Sequence, residues 1–276
     1  MPFPPVTKQA TAAEDLRRKL ELEDNLRRDL REYDDARVRE FIRSYARGGA
    51  APSLFGQDAP LADLLAKHYQ RTSDAFRGSV NDHLPSELRL TQGEATAISA
   101  ALAAYFASRA DEQARLINET TAQEQATVVT RAREDEPELS PQEIAVVAGA
   151  ALARSFRARE ASIAITETQA AAEATKATEA EVLSGVEPTI SGGTPRAAGP
   201  LKTWDSVGDS HVRPAHLDAD GQTVPVNEPF AVGGERLMFP GDTSRGASAD
   251  NVIGCRCGAS YDTEAIAEQR RGRTSG

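Results

Sequence analysis

Cysteine is nearly absent from this chain: its 276 residues hold two, Cys255 and Cys257, one residue apart. A pair that close cannot staple distant parts of a fold, so a secreted disulfide framework is excluded. A reducing cytoplasm, or a particle assembled in one, is the expected setting. Aromatic residues are scarce at 5%, and alanine carries much of the 39% apolar fraction. That composition favours helices that pack closely and bury little area each. No run of about 18 apolar residues exists, so no membrane span or membrane partner is expected. The start, MPFPPVTKQATAAEDL, lacks the apolar centre of a secretory signal. Positive charge is also short. Basic side chains number 24 against 31 acidic ones before residue 201, and 8 against 11 after it, within a net charge of −10. That balance argues against a DNA partner, which calls for a basic face.

Helical pattern dominates the first two-thirds. Leu16, Leu20, Leu26, Leu30, Tyr33, Phe41 and Tyr45 recur mostly at three- and four-residue steps between Ala10 and Arg47, with charges between them. The charged stretch LEDNLRRDLREYDD reads as a solvated face or as a docking helix. A second helix is expected from Leu61 to about His83, with His68 and His83 as packing or surface residues. Thr91 with Glu94 forms a capping-box pattern that opens a helix to about Arg115. Helical pattern resumes through RLINETTAQEQATVVTRARE. Ser140-Pro141 opens an Ala-rich helix to Leu183, with a break expected near 157–162. Residues 186–200 are rich in Gly, Pro and Ser and read as a connector. Short strands and turns follow, and the last residues read as a loose basic tail.

The residues able to do chemistry gather late in the chain. His211 and His216 are half of its histidines, and with Cys255 and Cys257 they would make four ligands for a tetrahedral zinc. The C-x-C spacing is not that of a zinc finger, so two buried thiols remain an alternative. Asp209, His211, Arg213 and His216 could instead line a cleft for hydrolysis or transfer on a phosphate or ribosyl group. No G-x-S-x-G and no phosphate-cradling glycine loop accompanies them. A buried salt-bridge and hydrogen-bond cluster is the third reading of the same residues.

The order of several separate pieces resembles the phage Mu F-like family of head morphogenesis, or minor capsid, proteins. The pieces are Lys202 and Trp204, Asp209 with Arg213 and His216, Asp220-Gly221, Phe230, Pro240-Gly241-Asp242, and Cys255-Arg256-Cys257. Upstream, INETTAQEQATVV and the helix with Ile163, Ala164, Thr166 and Glu167 are similar too. Ile165 departs from the arginine often found there, and His211 stands where the family varies. The resemblance covers roughly residues 115–258.

It implies a structural protein rather than an enzyme, made in a bacterial host cytoplasm and placed in the virion interior near the portal. Portal and other capsid proteins would be its partners. The expected fold is α+β: a helical region over 1–115, helices over 116–200 leading into a compact part over 201–262, and a loose tail over 263–276. Trp204, Asp209, Arg213, His216 and Arg256 are expected to be structural. His216, Cys255 and Cys257, with His211 as a fourth candidate, are expected to face one site. Arg256 should point away from it. An enzyme or toxin-like domain using Asp209, Arg213, His216 and Glu167 is the rival, and a DNA-binding virion component is another.

Overall fold

A computed structural model describes residues 8–54, 56–193 and 199–274, with side chains from 13 to 273. The Pro-rich start, the middle of the 186–200 connector and Ser275-Gly276 lie outside the described residues. Four helices come first: α1 (Lys8–Gly48), α2 (Ala59–Phe76), α3 (Gln92–Asp135) and α4 (Pro141–Leu183). Then follow β1 (Leu201–Asp205), α5 (Pro214–Asp218), β2 (Thr223–Pro225), β3 (Phe230–Val232), β4 (Glu235–Leu237), α6 (Ala249–Val252), β5 (Gly258–Tyr261) and α7 (Thr263–Thr274). The fold is α+β. No helix among the described residues is long and apolar enough to cross a membrane.

The chain divides into two units that do not follow the contiguous boundaries expected from the sequence. One is built from Glu23–His68 and Ala107–Ala164, the other from Met1–Leu22, Tyr69–Phe106 and Ile165–Gly276. The first is all helical. Its apolar core is Phe41, Tyr45, Ala132, Ile144, Ala145, Ala148, Leu152 and Phe156. Ser140 and Glu143 form a reciprocal box at the start of α4: the Ser140 N–H donates to Glu143 Oε2 at 2.9 Å and the Glu143 N–H to Ser140 Oγ at 3.3 Å. Charge also lies inside this unit. Asp34 is buried, and Arg31 reaches buried Glu160 at 2.9 Å.

In the second unit every residue of α4 from Thr166 to Glu181 is buried. A helix hidden all round is normally apolar. This one carries alanine, threonine, glutamine, glutamate and lysine, and its acidic side chains are matched. Glu173 receives Lys19 at 2.8 Å and Lys176 at 3.0 Å. Burial pushes the Glu173 carboxyl up, but the two ammonium groups outweigh it and hold it below its usual range. Glu179 accepts the backbone N–H groups of Gly78, Val80 and Asn81. Those donors would be orphaned otherwise, because α2 ends at Phe76 and two 3₁₀ turns follow, Asn81–His83 and Ser86–Leu88. The second helix is therefore shorter than expected.

Two other expectations change. Neither the pause near Arg115 nor the break at 157–162 occurs, since α3 and α4 are each continuous. The methyl of alanine neither crowds a helical turn nor loses rotamer freedom in one, and no proline interrupts either stretch. The tail is not loose: residues 263–274 form α7, and Arg270 forks onto Glu94 with contacts of 2.9 and 3.0 Å. Glu94 also completes the Thr91 box, with Thr91 N–H donating to it at 2.8 Å.

The strands form two small antiparallel sheets, β2-β1-β5 and β3-β4. On β1 the burial alternates, so Lys202 and Trp204 both face inward. Lys202 Nζ donates to the Met238 carbonyl at 2.6 Å and lies 5.0 Å from the centre of the Phe230 ring. Burial lowers its pKa to about 8. Asp242 closes the same corner, accepting the N–H groups of Met238 and Ser244 at 2.8 Å each. Gly241 before it has φ +88°, and a Cβ there would come within 3.2 Å of the Ala170 backbone. Helix and turn touch at a place where only glycine fits.

Candidate metal centre

The site is built by two short pieces of chain pressed against one long helix. Pro214 opens α5 and Arg213 precedes it, an arrangement that suits proline's fixed φ. His216 follows within the same turn and is 1% exposed. Arg213 donates to the carbonyl of Ile253, which ties the start of α5 to the segment before the cysteines. That segment is latched in turn by α4. The Gly254 N–H donates to Thr166 Oγ1 at 2.9 Å, Gln169 donates to the Cys257 carbonyl, and the Ala259 N–H donates to Glu173 at 3.0 Å. Thr166, Gln169 and Glu173 are spaced three and four residues apart, so they share one helix face. Held extended, the cysteines point one way and are buried, while Arg256 between them is exposed.

The His216 Nδ1 atom lies 3.6 Å from Cys255 Sγ and 3.4 Å from Cys257 Sγ. All three donor atoms fall within 4.8 Å of one another. A ring nitrogen has one in-plane site and makes one good hydrogen bond. Two sulfurs converging on it exceed that capacity. A cation between them satisfies all three. With Zn–S near 2.3 Å and Zn–N near 2.05 Å, tetrahedral geometry places sulfur and nitrogen about 3.6 Å apart, which matches the observed contacts. Trp204 meets the imidazole edge-on, with ring centres 5.5 Å apart at 85°, and steers it by packing. Cys255 is pushed down to about 5, mainly by the hydrogen bond from the Cys257 thiol and also by His216. Cys257 is pushed up, because it keeps the proton beside a thiolate. The pair thus gives up its first proton readily, as a thiolate ligand must.

The other candidate residues divide. Asp209, His211 and Arg213 line one cleft of about 290 Å³ with His216, both cysteines and Arg256. His211 is not among the converging donors. Its side chain is 89% exposed, and its Nδ1 stands 3.9 Å from Asp209. Among the described residues, therefore, three donors and not four are brought together. Glu167 is not in the cleft either. It accepts the Tyr69 hydroxyl at 2.6 Å inside the unit. Asp220 accepts the Ser206 N–H at 2.7 Å and organises the loop after β1.

No family model, curated protein or solved structure matches this chain. Gln169 and Glu173 went unnoticed in the sequence. Their one signal is a polar row at helical spacing in an alanine-rich stretch, and that row looks like a solvated face until its partners are known.

Proposed function

We propose that the chain is a structural component of a phage head, a minor capsid or head morphogenesis protein that binds the portal and the procapsid interior. On this reading the unit containing the cysteines is a rigid body, shut by a zinc ion held by His216, Cys255 and Cys257. The observation that carries the rigid-body half is the convergence of three buried donors on a segment latched by Thr166, Gln169 and Glu173. One nitrogen and two sulfurs form a donor set suited to zinc. The resemblance of the ordered motifs to the Mu F-like family supplies the other half. Nearly all of those motif residues have structural work: Lys202, Trp204, Phe230 and Asp242 are fully buried, and Asp220 and Arg213 bind backbone.

The enzyme reading asks Asp209, Arg213, His216 and Glu167 to converge on one open pocket, and Glu167 does not join the others. A DNA-binding component would need a basic face, and the net charge is −10. The test is co-expression with the portal protein of the same phage, followed by co-purification and elemental analysis. Stoichiometric zinc and recovery with portal or procapsids are expected. Absence of zinc removes the metal corner, and failure to enter procapsids removes the assembly role.

A further inference from the structure

Two of the three α4 side chains that latch the cysteine segment are held from their other side by one residue of α1. Gln169 uses both ends of its amide. Its Nε2 donates to the Cys257 carbonyl, and its Oε1 accepts from Lys19 Nζ at 2.7 Å. A carbonyl only accepts and an ammonium only donates, so this amide has one orientation open to it. Glu173 is divided in the same way. Its Oε2 accepts the Ala259 N–H at 3.0 Å, and its Oε1 accepts from Lys19 Nζ at 2.8 Å. A single buried ammonium thus sets two side chains, one bonded to the backbone of Cys257 and the other to the backbone two residues on. Partners behind the ligands are what keep ligands in place at metal sites.

The start of α1, which carries Lys19, is attached chiefly by polar contacts. Lys176 reaches Asp15 at 3.3 Å, and Arg18 donates to the Ala75 carbonyl at 3.3 Å. Leu22 is buried with Phe76 and Ala172, but Leu16 and Leu20 are exposed. An element with so little apolar burial opens at low cost.

We propose that Lys19 is a positioning residue for the metal corner, and that metal loading and docking of the start of α1 on α4 are coupled through Gln169 and Glu173. The inference rests on the metal reading made above. With α1 docked, the Cys257 backbone is pinned where its sulfur meets the other two donors. With α1 released, the Gln169 amide is free to turn and that carbonyl loses its donor. The effect is mutual: whatever factor docking adds to metal affinity, the metal adds to docking. A partner that drew α1 away would loosen the ion, and a loaded site keeps α1 down.

The first arm of the experiment uses the unaltered full chain, zinc-loaded and chelated, under conditions where both are folded. Chelation should speed amide exchange severalfold on α1 from Asp15 to Leu22. It should change Val80 and Asn81 much less, since their N–H groups bind Glu179 on the same helix, outside the relay. The second arm compares Lys19→Met with Lys176→Met by Co²⁺ titration of the folded proteins. Each removes an ammonium from Glu173, but Lys19 also reaches Gln169 whereas Lys176 reaches Asp15. Lys19→Met should weaken Co²⁺ binding about tenfold, as the loss of an outer partner does, and Lys176→Met should weaken it distinctly less. Chelation that leaves α1 unaltered, or that loosens Val80 and Asn81 as much as α1, overturns the proposal and leaves the metal reading standing. So do equal losses of affinity in the two variants, because the charge on Glu173 would then account for both. If Lys19→Met does not fold, the first arm decides by itself. If the chain binds no Co²⁺ or Zn²⁺ at all, the metal reading itself fails and takes this inference with it.

Discussion

Replacing Cys257 by serine keeps the volume of the side chain and removes the sulfur. The variant should lose its metal by elemental analysis. Its unfolding midpoint should drop by on the order of 5–10 °C relative to the zinc-loaded parent, because metal binding here is folding free energy. A chelator added to the parent should reproduce that drop, and a parent indifferent to chelation would leave the sulfurs as ordinary packing. Lys19 offers a second test at this scale. It is largely buried against Glu173 and Gln169, with contacts of 2.8 and 2.7 Å. Lys19→Met removes one of the two ammonium groups that hold Glu173 ionised. Destabilisation of about 3 kcal/mol is expected by denaturant titration, since a buried charge left short of partners is costly.

Among the elements, α4 separates what a sequence can tell from what it cannot. Its start was legible because Ser140, Pro141 and Glu143 are local chemistry, and its end because Ser184-Gly185 stops a helix. Lys202 and Trp204 were singled out only as pieces of the resemblance; that both face inward became plain once β1 was seen to pass between two neighbouring strands. The burial of α4 was not legible. Glu173, Glu179 and Glu181 sit in a stretch that a sequence alone makes solvent-facing, and apart from Lys176 beside Glu173 their partners lie about 100 to 150 positions away or in turns with no pattern of their own. The three-ligand site was half legible. Spacing put the two thiols together and offered both His211 and His216, and only the resemblance ranked His216 ahead of His211. The choice depends on a five-residue helix opened by Pro214 and on Trp204 packing against its ring. Thr166→Val is the element-scale prediction. It removes the acceptor for the Gly254 N–H while keeping shape, so hydrogen exchange at Gly254 should speed up and zinc affinity should weaken severalfold. Unchanged exchange would mean the latch is carried by Gln169 and Glu173 alone.

At the scale of the whole molecule, acidity acts in opposite directions on two of its carboxyls, Asp34 and Glu94. In the all-helical unit, burial raises Asp34 to about 7, Arg159 only partly opposing it, and Glu160 adds to the rise. A carboxyl that holds its proton more tightly when folded stabilises most below its unfolded pKa, and that stability is lost as pH rises toward 7. Asp34→Asn should therefore stabilise this unit at pH 8 by on the order of a few kcal/mol and change little below pH 4. Unfolding curves at the two pH values check the sign. In the other unit Arg270 lowers Glu94 to about 2, so the stability it lends is present above its usual range and fades as pH falls toward 2. Arg270→Ala should reduce that acid dependence, leaving the share held by the Thr91 hydrogen bonds, and loosen α7. On the proposed assembly role, exposed Val146 and Val147, at 61% and 48% exposure, are natural places to probe the helical unit. Changing both to aspartate should leave the unfolding midpoint nearly unchanged while reducing recovery with portal. Equal recovery would place the contact elsewhere.

Lys19 meets Glu173 across 154 positions of chain. A ribosome adding roughly 5–20 residues each second needs about 8–30 s to cover that interval. For that time the first helix waits with its ammonium group unmatched, and the cysteine segment and then α7, whose Arg270 and Arg273 donate to the Leu183 carbonyl, reach α4 later still. Newly made chains should thus pass through a stage vulnerable to proteases and chaperones, ending only when the late residues emerge.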